Sequence, residues 1–213
     1  MADDQDAIYE QTLRRGGEGM LREASAYFAG EGRLHSTLRR LAERLDAEGI
    51  TYALLGGLAL AEHRYPRLTE DIGVLVTPAG LERFRERLVG QGYRLAFSGA
   101  QKTFRDTETG VRIEVATTGE YPGDGLPKPV AFPDPTGPGV AVEVEGISVV
   151  ALEKLIELKL ASGMSASHRL RDLADVQDLI IRLDLPLTLA DRLDASVREA
   201  YQDLWEKAHS AEE

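Results

Sequence analysis

Residues 52 to 76 read Tyr52-Ala53-Leu54-Leu55-Gly56-Gly57-Leu58-Ala59-Leu60-Ala61-Glu62-His63-Arg64-Tyr65-Pro66-Arg67-Leu68-Thr69-Glu70-Asp71-Ile72-Gly73-Val74-Leu75-Val76. A short apolar run ends at Gly56-Gly57, a helix-like stretch follows, Pro66 breaks it, and a second apolar run begins directly after Asp71. That order predicts strand, tight turn, helix, strand. Side chains alternate along a strand, so positions 71 and 73 share a face, whereas Glu70 in the same strand would point the opposite way. Of the two positions on that face, only Asp71 is an acid; the other is Gly73.

Two glycines opening a helix let backbone N–H groups come close to a phosphate, and the helix start adds partial positive charge. A carboxylate at the start of the next strand can hold Mg²⁺ against the same phosphates. With these parts in this order, the stretch resembles the nucleotidyltransferase superfamily, whose signature is an apolar residue, Gly-Gly or Gly-Ser, a spacer, then acid-apolar-acid. Gly56-Gly57, Arg67, Thr69 and Asp71 follow the version found in bacterial AbiEii-like toxins and their uncharacterised relatives. Gly73 departs from it, standing where the second acid is expected.

Working outward, residues 5 to 48 read as helical, with Ile8, Leu13, Leu21 and Tyr27 in an irregular first half interrupted by Gly16-Gly17. Leu34, Leu38, Leu41 and Leu45 then recur at helical spacing. His35 lies beside that stripe with no metal-ligand partner at a useful spacing, which gives it a surface or packing role. Beyond Val76, Thr77-Pro78 opens an amphipathic helix through Leu81, Phe84, Leu88 and Val89, and Tyr93 to Phe97 reads as a strand. Phe104 to Asp106 and Val111 to Val115 form a predicted hairpin. In its second strand Val111, Ile113 and Val115 share one face, leaving Arg112 and Glu114 on the other. By the resemblance, Glu114 matches a third acid supplied by a neighbouring strand; by itself it also reads as a solvent-facing charge.

Thr118 to Gly139 is rich in Gly and Pro and longer than an ordinary connection, so it reads as a lid over a site or as a plain crossover. Asp124 and Asp134 within it read as turn formers. Val140 to Val144 and Ile147 to Val150 suggest a second hairpin. From 151 the pattern is helical, with Leu152, Leu155, Ile156 and Leu160 on one stripe and Lys159 projecting from that same stripe. Such a lysine must snorkel to solvent or meet an anion. A further helix from about Arg169 turns Leu173, Val176, Ile180 and Leu183 inward. It also carries Asp172 and Asp175 on one face, where like charges repel unless a cation or the helix N-terminus compensates. This segment resembles the lysine followed by lysine/arginine-Asp-x-x-Asp of AbiEii-like proteins, with Arg171 in the second basic position. The alternative is an acid pair satisfied by Arg169 or Arg171. Leu193, Val197, Tyr201, Leu204 and Trp205 near the end read as packing, and the tail from Ser210 as frayed.

Composition bounds the rest. The chain has 213 residues, 43% of them hydrophobic, and no cysteine, so a disulfide framework and a thiolate metal site are excluded. The acidic start, Met1 to Asp6, does not read as a signal peptide, and no apolar run approaches membrane-helix length. A cytoplasmic location is the expectation. A formal charge of −11 argues against extended binding along DNA, while a local basic pocket for a nucleotide or one RNA end stays open.

The expected fold is α+β, a nucleotidyltransferase-like mixed sheet flanked by helices. A helical extension (1–49) would precede a core (50–150), and a helical region (151–213) would follow it. The resemblance implies transfer of a nucleoside monophosphate from an NTP to a hydroxyl acceptor with Mg²⁺. It places Asp71 and Glu114 as catalytic and metal-holding residues, and Gly56, Gly57, Arg67, Thr69, Lys159, Arg171, Asp172 and Asp175 around the nucleotide. It further suggests an RNA end or a protein as acceptor, and an antitoxin or a second copy of the chain as partner. Gly73 supports a second reading, a nucleotide-binding or protein-interaction module without turnover.

Overall fold

The computed structural model describes residues 8–210. The readings of Met1 to Asp6, of the Ile8 side chain and of the last three residues therefore fall outside what is described. Seven strands form one mixed sheet in the order β3-β4-β5-β2-β1-β7-β6. Its centre is the pair β1 (Tyr52–Leu55) and β2 (Asp71–Val76), the two strands that the apolar runs on either side of the Gly56-Gly57 turn predict, and they run antiparallel. The connection between them holds the short helix Gly56–Glu62, preceded by three helices described below.

The first half of the chain supplies α1 (Ile8–Arg15), α2 (Gly17–Phe28), α3 (Arg33–Ala47), α4 (Gly56–Glu62) and α5 (Pro78–Arg87). Along α3 the leucine stripe is buried throughout, at Leu34, Leu38, Leu41 and Leu45. Leu21 departs from expectation: it is 62% exposed, and Tyr27 supplies the buried side chain of α2 instead. The break at Ala29 to Gly32, which apolar spacing did not reveal, lets α2 and α3 pack as separate elements. His35 rests against Tyr27 at 5.1 Å between ring centroids, a packing role.

β3 (Tyr93–Leu95) ends two residues earlier than the apolar pattern suggests. β4 (Thr103–Asp106) and β5 (Arg112–Thr117) form the predicted hairpin. β5 then lies parallel to β2, with Asp71 opposite Arg112 and Gly73 opposite Glu114. Ile113 and Val115 are buried on one face, so Arg112 and Glu114 share the other with Asp71 and Gly73.

The segment 118–139 crosses to the hairpin β6 (Ala141–Val144) and β7 (Ile147–Val150) on the opposite edge. It is pinned where Gly119 N–H donates to the Phe132 carbonyl at 2.9 Å and Phe132 N–H donates to Glu120 at 2.7 Å. Asp124 and Asp134 accept from the amides of Leu126 and Thr136, which makes both turn formers.

Two long helices complete the chain, α6 (Leu152–Ser165) and α7 (Leu170–Leu183), followed by a 3₁₀ turn (Leu187–Arg192) and α8 (Arg198–Ser210). The final helix starts later than the run Leu193 to Trp205 implies. Trp205 packs by donating its indole N–H to the Leu185 carbonyl at 2.8 Å. One hydrophobic core runs from Tyr9 to Ala208, so the described residues of all three stretches, 1–49, 50–150 and 151–213, share a single interior. No helix of the described residues is long and apolar enough to cross a membrane.

Candidate active site

The Gly-Gly turn has two separate causes. Gly56 has φ +74, a conformation costly for any residue with a side chain, and nothing crowds the position its Cβ would take. Gly57 has ordinary backbone geometry, but a Cβ there would stand 2.7 Å from the Thr69 Cβ. Position 57 is therefore glycine so that Thr69 can sit on it. Thr69 in turn donates its hydroxyl to Asp71 Oδ1 at 3.1 Å, aiming the carboxylate.

The N-terminal helices hold the linker that delivers Asp71. Tyr9 donates to the Thr69 carbonyl at 3.2 Å and Tyr27 to the Arg67 carbonyl at 2.7 Å. Burial pushes the Tyr27 phenol up to about 12, so it stays a hydrogen-bond donor at any ordinary pH. Glu70 corrects the expectation that it points away from the site. It lies just ahead of β2, lines the cleft, and pairs with Arg14 at 3.1 Å. The alternation rule holds only inside the strand, and Glu70 is outside it.

The cleft has a volume of about 830 Å³ and opens over the C-terminal side of β1 and the start of β2 and β5. Its floor carries Asp71, Gly73, Arg112 and Glu114, and Gly56 lines its wall. Glu114 is about half exposed and Asp71 one-quarter exposed. Arg112 lies between them: its Nη2 donates to Asp71 Oδ2 at 3.0 Å and stands 3.4 Å from Glu114 Oε1. The sequence put Arg112 on the face of Glu114 but assigned it no role. Strand parity was the available signal.

Position 73 offers no second acid beside Asp71, and its surroundings are tight. A Cβ there would lie 3.1 Å from the Leu55 carbonyl oxygen, because β1 passes alongside. Among the described residues no three His, Cys, Asp or Glu side chains form a metal cage. Mg²⁺ ordinarily takes one or two carboxylates together with phosphate oxygens and water. Asp71 and Glu114 are carboxylates of the kind that supply such ligands, and the Arg112 Nη2 stands between them.

The basic-acidic motif of the C-terminal helices forms a buried network. Lys159 donates to Asp172 at 3.0 Å and to Asp175 at 2.6 Å, and is 5% exposed. Arg67 makes a two-point pair with Asp175, Nε at 2.7 Å and Nη2 donating at 2.9 Å. Ser162 donates to Asp172 at 2.7 Å. Lys159 thus meets the protein's own anions. Asp175, 2% exposed, has both oxygens engaged by Arg67 and Lys159, so it reaches the cleft only through them. Burial pushes the Asp172 carboxyl up, but the Lys159 charge, the Ser162 and Lys159 hydrogen bonds and Arg169 outweigh it and hold the group below its ordinary value. The partner on its own helix turn is Arg169, at 3.4 Å. Arg171 is exposed at the cleft wall and, among the described residues, makes no ion pair.

A mixed sheet carrying Gly-Gly, a threonine-aimed aspartate and a glutamate on the adjacent parallel strand defines a protein of the nucleotidyltransferase class. The chain belongs to the family of uncharacterised nucleotidyltransferases, whose sequence profile matches residues 18–201. Nothing among curated proteins matches it. Similar solved structures include a protein from Thermotoga maritima assigned as a nucleotidyltransferase (23% identity, 66% of this chain and 91% of that one, TM-score 0.45). Another is ANT(2")-Ia in complex with adenylyl-2"-tobramycin (10% identity, 81% and 99%, TM-score 0.45). A third is a protein from H. pylori, also assigned as a nucleotidyltransferase (17% identity, 82% and 92%, TM-score 0.44). These likenesses are distant, and the family assignment does not rest on them.

Proposed function

We propose that the chain transfers a nucleoside monophosphate from an NTP to a hydroxyl acceptor, with Mg²⁺ held by Asp71 and Glu114. The observation that carries this reading is the placement of the two carboxylates on one face of adjacent parallel strands, at the floor of the cleft beside Gly56. An acceptor oxygen would attack the α-phosphorus, the bond from that phosphorus to the bridging oxygen would break, and pyrophosphate would leave. The hydroxyl proton would pass to water or to a carboxylate facing the cleft. Mg²⁺, when bound, supplies charge neutralisation at the phosphate oxygens.

The chain's own residues have defined parts in this reading. Thr69 orients Asp71 through its hydroxyl. Gly56 leaves backbone open to the phosphates. Arg171, exposed on the wall, meets the distal phosphates or the acceptor. Lys159 and Asp175 hold α6 and α7 against Arg67, fixing that wall. A toxin–antitoxin setting, with RNA or protein as acceptor, rests on the AbiEii-like order of motifs alone.

A second reading, nucleotide binding without turnover, is favoured by one observation: Arg112 stands against both carboxylates while position 73 lacks an acid. Incubation with Mg²⁺, each α-labelled NTP, total RNA and cell extract decides between them. Label on an acceptor, lost in Asp71→Asn, supports transfer. Retained NTP with no labelled acceptor supports binding alone, and neither binding nor label overturns both.

A further inference from the structure

Asp71, Gly73, Arg112 and Glu114 form the corners of a square on the sheet, since 71 pairs with 112 and 73 with 114. Three corners carry charge and the fourth is empty. Arg112 spans the square, its Nη2 within 3.0 Å of Asp71 Oδ2 and 3.4 Å of Glu114 Oε1. Mg²⁺ binds carboxylate oxygens at about 2.0–2.1 Å, and an ion shared by these two oxygens would have to occupy the ground where that nitrogen lies. The guanidinium is one-third exposed toward the cleft, and its fork suits phosphate oxygens as well as carboxylates. Lys159 and Arg67, which also line the cleft, are committed to Asp172 and Asp175.

The geometry points to Arg112 as a resident cation that stands in for one divalent ion, competing with metal for Asp71 and Glu114 and lending its charge to the triphosphate. This rests on the reading of the cleft as an NTP site. It couples two features of the sequence: an acid at 73 is dispensable where the second positive charge comes from the protein. A lone Asp71–Arg112 pair could serve merely to tie β2 to β5. The guanidinium's second carboxylate and its exposure on the cleft floor are what a strand tie does not require.

The test uses the full chain and Mn²⁺ as a spectroscopic probe, titrated by electron paramagnetic resonance without nucleotide. Arg112→Gln and Arg112→Met should bind Mn²⁺ at least about tenfold more tightly than wild type, since a like charge beside the ion has been removed. Arg112→Lys, which keeps the charge, should stay within about threefold of wild type. The gain should vanish when Asp71→Asn is added to Arg112→Gln. Neutral variants that bind Mn²⁺ no better than wild type overturn the proposal, as does a gain that survives loss of Asp71. A neutral variant that folds only with Mn²⁺ present supports it, while one unfolded with and without Mn²⁺ makes Arg112 a structural tie and overturns it. ATP binding by wild type with and without Mn²⁺, read by filter retention, tests the cleft separately. No ATP bound in either condition sinks the nucleotide reading and leaves the metal comparison standing. If ATP does bind, Arg112→Met should lose metal-free ATP affinity by about tenfold or more.

Discussion

Gly57 and Thr69 are fitted against each other: a Cβ at 57 would stand 2.7 Å from the Thr69 Cβ and 2.8 Å from its Oγ1. Thr69 cannot move aside freely, because it is buried and its hydroxyl donates to Asp71. Gly57→Ala should therefore cost about 1–3 kcal/mol, the usual range for overpacking. Gly56→Ala is strained for a different reason, its positive φ, and should cost about 1–2 kcal/mol. Urea unfolding in a Thr69→Gly background separates them. The Gly57→Ala cost should shrink there and the Gly56→Ala cost should not, and equal behaviour of the two would deny the contact.

Lys159→Met should cost about 3–5 kcal/mol, because it leaves the buried Asp175 and the partly buried Asp172 without their shared cation. Arg67 and Arg169 still reach one acid each, which places the effect toward the lower end. Adding Asp172→Asn should recover part of the loss, since one of the stranded charges is then gone. A Lys159→Met protein with unchanged urea stability but weakened ATP binding would instead put the lysine on the nucleotide.

The network also predicts an acid sensitivity. The folded-state pKa of Asp172 lies below its ordinary 3.8, so its ionised form is favoured by folding. That stability is present above the unfolded pKa and is lost as pH falls through the folded one. Melting temperature should drop on acidification below about pH 4, and Asp172→Asn should flatten the slope in that window. Parallel curves for the two proteins would show that Asp172 does not carry it.

How much of this was legible follows from the range of each interaction. The strand–glycine–helix–strand order, the two hairpins and the face shared by 71 and 73 are local consequences of apolar period and strand parity, and all appear in the fold. Lys159 stood out because a charge interrupted an apolar stripe, and parity put Glu114 on the face of Arg112, while only the family resemblance linked Glu114 to Asp71. What the pattern could not show is pairing across sequence distance. Arg112 meets Asp71 only because β5 lies beside β2 in one particular register, and Thr69 meets Gly57 only after the linker folds back. Tyr27 read only as part of an irregular helical stretch and Tyr9 drew no reading, yet their hydroxyls hold the backbone that leads to Asp71. Glu70 was misplaced because a strand boundary, which fixes side-chain parity, is the least certain feature of a sequence reading.

Gly73 brings stability and metal binding into one experiment. A Cβ at 73 would lie 3.1 Å from the Leu55 carbonyl oxygen, and that atom belongs to a paired strand, so the backbone itself must yield. Gly73→Ala should therefore lower stability by about 1–3 kcal/mol without adding charge. Gly73→Asp shares this strain and adds a carboxylate beside Glu114, its partner on β5. Without metal the aspartate variant should be no more stable than the alanine variant, apart from what Arg112 offsets. With Mn²⁺ in excess it should gain more melting temperature than either wild type or Gly73→Ala, because an ion that binds only the folded state stabilises it by RT ln(1 + [L]/Kd). A gain equal to that of Gly73→Ala would mean that a carboxylate at 73 reaches no metal, and the correspondence between this strand and the acid-apolar-acid signature would fail at its second position.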